Sequence, residues 1–445
     1  MTESHKDHIR ESIYANREAL VGLAHDIHTH PEIAYREEYS AARAAEFLER
    51  QGFEVERGIC GLPTAFRAKV GRGRLHLAFC AEYDALPPAS LFDRSKPTTE
   101  LTEVWLDGDQ RDEPLRHACG HNLIAGSSIG AALGLRDLVD ELDLTVSVFG
   151  TPAEELFGLP EPTDGRLAPG KDALFEAGAF AGVHAAMMIH PFPTPCGCIL
   201  PTINYARIRA QFSKADGATA FDRNGLRMLL EDLQRTVRSS GQTPALFVAR
   251  PEEAGAGALA DFMWAAPTLA DSLPARDAVR RCFMQAAAKA NVSVEVAEYA
   301  RDKEIRHDPV LSAAYRENAK ALGRARERDG RVQAQIRSYL PPIARPIQRV
   351  FPGLFTPAGL FFDKFAKPVQ WGTDLSNLSH AIPAIQPYVG IGPMVIPHSV
   401  EFAEAADSED AYTAMLQAAV ALAWTSVDAA TDSKTRSYVL KGIAD

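Results

Sequence analysis

The segment His117-Ala118-Cys119-Gly120-His121 places a thiol between two imidazoles, two positions from each. A thiolate and a neutral imidazole are good ligands for a borderline-soft divalent ion such as zinc. Side chains two apart on an extended backbone point the same way, so Cys119 and His121 can face one site. Gly120 between them permits a tight turn. Leu123 to Leu135 then reads as a helix with a small, closely packing face, which sets the candidate ligands just before a helix N-terminus. On spacing alone, metal binding and a buried cysteine between two unrelated histidines are evenly matched.

Other stretches tip that balance. Leu75 to Cys80 reads as a buried strand that runs into Glu82-Tyr83-Asp84. Leu144 to Phe149 is a second, ending in Pro152-Ala153-Glu154-Glu155, and Ala185 to Ile189 a third, running into His190-Pro191. In a parallel α/β sheet, chemistry gathers just beyond the carboxyl ends of the strands. Adjacent carboxylates such as Glu154 and Glu155 repel, and a nearby cation offsets that repulsion. The competing reading is an acidic pair at a helix N-terminus. Gly372-Thr373-Asp374 opens a loop before a strand from Ile382 to Val389, and Pro397-His398-Ser399 precedes an acidic stretch. His28-Thr29-His30-Pro31-Glu32 reads better as capping and packing around a turn imposed by Pro31 than as a ligand set, because no thiol or acid cluster accompanies it.

These residues need a scaffold that brings distant segments together. A length of 445 residues implies two domains, or one large α/β domain with an insertion. The composition, 46% hydrophobic and 24% charged, is that of an ordinary soluble globular protein. A net charge of -11 argues against nucleic acid or an anionic membrane as the main partner. The six cysteines lack the density of a disulfide framework, and Cys196-Gly197-Cys198 reads as two ordinary thiols. With no apolar signal core at the start and no run long enough to span a bilayer, the expected compartment is the cytoplasm. His8 to Gly52 looks helical. From about Pro201 the pattern changes to strand 205–212, helix 222–238, strands 244–249 and 257–265, helix 273–290 and strand 292–299. That β-α-β-β-α-β order fits a ferredoxin-like insert. A helix from 309, a long ordered loop over 339–367 and an amphipathic helix over about 408–428 return to the first kind of segment.

Together these motifs resemble the metallopeptidases of peptidase family M20, in particular its amidohydrolase branch of aminobenzoyl-glutamate hydrolases, aminoacylase-like enzymes and dipeptidases. The resemblance rests on His28 to Glu32, Gly58 to Ala65, Glu82 to Pro87, His117 to Asn122, Pro152 to Glu155, Ile189 to Pro191, Gly372 to Asp374, and His398 with Glu401 to Ala406. It implies an α/β fold: a mostly parallel-sheet metallopeptidase catalytic domain (1–203 and 306–445) with an inserted ferredoxin-like α+β lid and dimerisation domain (204–305). It also implies two divalent metal ions, zinc foremost with manganese or cobalt as alternatives, held by Cys119, His121, Glu155, His190 and His398, with Cys119 in the bridging place. Glu154 would be the general base and acid. Asp84, Asn122, Thr373, Asp374 and His380 would orient ligands or meet substrate. The implied partners are a small amide or peptide substrate and a second copy of the chain.

The insert departs from that pattern. Members of the family supply a histidine from it to polarise the scissile carbonyl, but this chain has none between His190 and His307, and Gly217 stands in its place. Ala265 stands where the family has an arginine for a substrate carboxylate. His380, Arg345 and Arg349 are the candidate replacements. Segments 88–116, 156–170 and 339–367 are longer than usual for the family. The leading expectation is a metal-dependent amidohydrolase. Its rival is a metal-binding, non-hydrolytic homologue serving as a binding or assembly partner.

Overall fold

The computed structural model describes residues 2–87, 104–105, 114–156, 168–192, 199, 202, 204–214, 244–251, 257–266, 269–323, 372–392, 395 and 397–442. The expected helix 222–238, the loop 339–367, Gly217, the Cys196/Cys198 pair, Arg345 and Arg349 lie outside these residues, as does most of 88–116 and of 156–170. In chain order the strands are β1 (Glu54–Arg57), β2 (Phe66–Val70), β3 (Leu75–Ala81), β4 (Val104–Trp105), β5 (Leu144–Gly150), β6 (Ala185–Met187), β7 (His190–Pro191), β8 (Asn204–Lys214), β9 (Pro244–Pro251), β10 (Gly257–Ala266), β11 (Val292–Asp302), β12 (Ala384–Ile385) and β13 (Tyr388–Val389).

The central sheet has the order β1-β2-β5-β3-β6-β12. Its last four strands are parallel. They read in sequence as unbroken apolar runs because helices cover both faces of such a sheet. The antiparallel pair β1 and β2 extends one edge. Sequence reading did not find it, since Glu54-Val55-Glu56-Arg57 is an exposed strand with a single apolar residue. The strand expected over 382–389 is divided, β12 pairing with β6 and β13 with β7.

Helix His121–Leu135 is buried along its whole length. Its small face lets helix Glu409–Thr431 pack closely: a Cβ on Gly126 would lie 2.3 Å from Met415 Sδ. The expectation of an amphipathic closing helix is corrected here. Glu409–Thr431 is buried on most of its circumference, because helices Thr2–Ala15, His121–Leu135 and Pro309–Gly323 all pack against it.

The second sheet has the order β11-β8-β10-β9-β4. Strands β8 to β11 pair antiparallel, with the fourth insert strand beside the first and the third beside both first and second. That is the order a β-α-β-β-α-β unit adopts. Helix Leu269–Ala290 packs on this sheet, burying Val279 and Phe283 beside Phe212. The short strand β4, from the segment before His117, joins β9 in parallel at the far edge. The described residues are thus mixed α/β, with a mostly parallel central sheet and a second, mostly antiparallel one.

Candidate metal centre and active site

Because β3, β5 and β6 run parallel, their carboxyl ends share one edge of the central sheet. β3 leads into Glu82 and Asp84, β5 into Glu154 and Glu155, and β6 into His190. The turn before helix His121–Leu135 crosses that edge. Gly120 has φ +76°, and a Cβ there would sit 2.9 Å from Pro191 Cγ, so a glycine lets the turn close against the His190-Pro191 segment. The last third of the chain is tied in by the His398 N–H, which donates to the Ala118 carbonyl at 2.7 Å. Two non-glycine residues here adopt left-handed backbone, Ala153 (φ +57°) and His398 (φ +63°). Such a conformation costs on the order of 1 kcal/mol and persists where surrounding contacts enforce it.

The side chains converge. Cys119, His121 and His190 form one group, Cys119, Glu155 and His398 a second, and His121, Glu154 and Glu155 a third, the ligand atoms of each lying within 4.8 Å of one another. Cys119 Sγ is 3.3 Å from His190 Nε2, and His398 Nε2 is 2.8 Å from Glu155 Oε1. His121 Nδ1 is 2.8 Å from Asp84 Oδ1, and Asp84 Oδ2 accepts the Glu155 N–H at 2.8 Å. Asp84 therefore fixes both the His121 ring and the Glu155 backbone. This leaves His121 Nε2 buried without a hydrogen-bond partner. An imidazole held through one nitrogen by a carboxylate, with the other nitrogen bare, is the arrangement of a metal-binding histidine. The donor set of thiol, imidazoles and carboxylates suits a divalent ion of zinc's kind.

Burial and the crowding of acids shift the ionisation of these groups. Burial, followed by Glu155 and Glu82, pushes the Glu154 carboxyl well above its usual range. Burial, then Glu155 and Glu154, likewise pushes the Cys119 thiol up. Burial pulls the His121 imidazole down, but Asp84 and Glu82 outweigh it and raise the pKa to about 9. Burial takes His190 down to about 4, favouring the neutral form that can ligate. Too many anionic groups meet in too little solvent, and a divalent cation would relieve that.

The remaining candidates have other partners. Asn122 Nδ2 donates to the Ala406 carbonyl at 3.1 Å, and Thr373 Oγ1 donates to Gln386 Oε1 at 2.8 Å. Asp374 meets Lys171. His380 is not among the converging candidate ligands: it follows helix Leu375–Ser379 with Nε2 2.9 Å from the Glu304 carbonyl. His117 does not join them either, its buried ring lying 5.9 Å from that of His28. His28 and His30 pair with the Ala403 and Asp26 carbonyls at 2.9 and 2.8 Å, in keeping with packing roles. Sequence reasoning missed Glu37, Glu82 and Lys171. Glu82 was within reach, two residues before Asp84 on an extended segment. Lys171 and Glu37 carried no signal, each looking like a surface charge.

No protein-family model matches the chain. It is similar to Xaa-Arg dipeptidase of Mus musculus, 27% identical over 452 residues that cover 94% of this chain and 87% of the relative. It is also similar to one chain of the p-aminobenzoyl-glutamate hydrolase of Escherichia coli, 31% identical over 185 residues, 41% of this chain and 34% of the relative. A solved dinuclear metal-binding peptidase of the M20 family, from Bacillus subtilis, matches the fold with a TM-score of 0.55 at 18% identity, covering 93% of this chain and 99% of its own. The architecture is that of the M20 peptidases. Its relatives are named for dipeptide and aminobenzoyl-glutamate hydrolysis, and its fold is shared with a solved peptidase of the M20 family.

Proposed function

We propose that this protein is a metal-dependent amidohydrolase that cleaves the amide bond of a small substrate, a dipeptide ahead of an N-acyl amino acid or an aminobenzoyl-glutamate-like compound. The observation that carries the reading is the convergence of Cys119, His121, Glu154, Glu155, His190 and His398 from separate segments of the chain around a bare imidazole nitrogen. Two divalent ions, when bound, supply Lewis acidity toward a carbonyl and lower the pKa of water. Cys119, His121, Glu155, His190 and His398 would hold them, with Cys119 common to two of the ligand groups. Zinc suits the thiolate best, with manganese or cobalt as alternatives. Glu154 would take the proton from the attacking water and return it to the leaving amine. A carboxyl whose proton affinity is raised by its surroundings is suited to carrying that proton for part of the cycle. Asp84 holds His121 and the Glu155 backbone in register for this.

Similarity to Xaa-Arg dipeptidase along nearly the whole chain supports a dipeptide substrate. The histidine-free insert and Ala265 support slow turnover of ordinary N-acetyl amino acids. The second sheet has β11 as an edge strand, which supports a homodimer formed through the insert. Free thiols at Cys60, Cys80, Cys119 and Cys282 support a reducing, cytoplasmic location. The testing experiment is an assay of metal-loaded protein against Xaa-Arg and other dipeptides, N-acetyl amino acids and aminobenzoyl-glutamate. The expected order is dipeptides first. Full metal occupancy with no hydrolysis of any of them would reject the reading in favour of a non-hydrolytic metal-binding homologue.

A further inference from the structure

Glu82, Lys171 and Asp374 are each at most 1% exposed, and their charged ends meet. The Lys171 ammonium donates to Glu82 Oε1 and to Asp374 Oδ1, and the Lys171 backbone N–H donates to Asp374 Oδ2 at 2.9 Å. One ammonium thus bridges two buried carboxylates, an arrangement that is costly unless every oxygen is satisfied. The two acids are not equivalent. Both oxygens of Asp374 are engaged by Lys171. Glu82 spends only Oε1 on Lys171, and its Oε2 is buried with no hydrogen-bond partner. That oxygen lies 3.4 Å from His121 Nε2, the other bare atom of the site.

We infer, building on the metal centre proposed above, that Glu82 is a further metal-facing residue, braced by Lys171 and Asp374 so that its second oxygen is held toward the ion bound at His121. A purely structural ion-pair network would behave differently. It would be weakened by loss of either acid, whereas here removal of the Glu82 charge leaves Lys171 and Asp374 as a balanced pair.

The test combines metal affinity with the stability of metal-free protein. Zinc affinity is measured by competition with a chromophoric chelator, and melting temperature after metal removal, for wild type, Glu82→Gln, Glu82→Asp, Lys171→Met and His121→Ala. Glu82→Gln should weaken zinc binding about 10- to 100-fold, the range seen when residues that support metal ligands are replaced. Its metal-free melting temperature should be no lower than that of wild type. Glu82→Asp, which keeps the charge but shortens the reach, should keep metal-free stability and lose part of the affinity. Lys171→Met, which strands two buried carboxylates, should melt lower. Wild-type zinc affinity in Glu82→Gln, or a metal-free melting temperature that falls as far as that of Lys171→Met, would overturn the inference. Loss of zinc in His121→Ala alongside unchanged binding in Glu82→Gln would defeat this inference alone. Unchanged binding in His121→Ala would defeat the metal centre itself.

Discussion

The buried carboxylate of Glu37 accepts the backbone N–H of Ala153 at 2.8 Å, one residue before the Glu154-Glu155 pair. The same oxygen accepts the Tyr35 N–H at 2.9 Å, and the other accepts the Thr64 hydroxyl at 2.9 Å. Ala153 is the left-handed residue of the turn. The segment that presents the two acids is therefore held from behind by a third acid, supplied by the loop before helix Glu38–Arg50.

That relationship has a pH signature. Burial, then the charge of Asp84, pushes the Glu37 carboxyl up from 4.5 to about 8. A neutral acid keeps both N–H bonds on one oxygen and can turn its own proton toward Thr64, so the geometry tolerates protonation. The folded state then holds a proton that the unfolded chain releases, and the associated stability is complete below pH 4.5 and lost as pH rises through about 8. Glu37→Gln preserves the bonds without titrating. Urea unfolding of metal-free protein at about pH 5 and pH 9 should show wild type losing on the order of 2–4 kcal/mol relative to this variant. Parallel pH dependences would contradict the assignment.

Gly120→Ala should disturb two of the proposed metal ligands at once. The new methyl would meet Pro191 at 2.9 Å in a backbone conformation that L side chains rarely adopt. A loss of about 1–3 kcal/mol in unfolding free energy is expected, together with weaker zinc binding, because His121 follows the turn and His190 precedes the proline. Calorimetry and chelator competition on the same preparation check both effects. Unchanged values would show that the turn does not set the site.

Glu154→Gln separates chemistry from metal binding. Amide and carboxylate are nearly isosteric, so bound metal and melting temperature should stay near wild type while kcat falls by about 10² or more. Full activity in this variant, measured at equal metal occupancy, would remove Glu154 from the role of proton carrier.

Much of this site was legible in the sequence because its residues follow regular elements. Asp84, Glu154, Glu155 and His190 all stand just past apolar strands, which set them at one sheet edge, and His121 was reached from its spacing to Cys119. His398 carried no such local signal and was found through the resemblance. The order of insert strands was also readable, since each alternates or runs apolar between breaks. What escaped was decided by long-range contact. Lys171 is a lysine at the start of a short helix, and nothing local reveals that Glu82 and Asp374 will close over it. Glu37 sits among charged neighbours in Arg36-Glu37-Glu38 and yet is fully buried. The near-complete burial of helix Glu409–Thr431 depends on three helices packing around it, which its own periodicity does not encode.

Whether this chain hydrolyses a small amide with bound divalent metal can be read by following dipeptide hydrolysis before chelation, after chelation, and after zinc, manganese or cobalt is restored. Turnover should be abolished by the chelator and recovered with a divalent ion. Hydrolysis that persists unchanged in chelated protein verified to be metal-free, or that is absent from protein carrying two ions per chain, would contradict the proposed function.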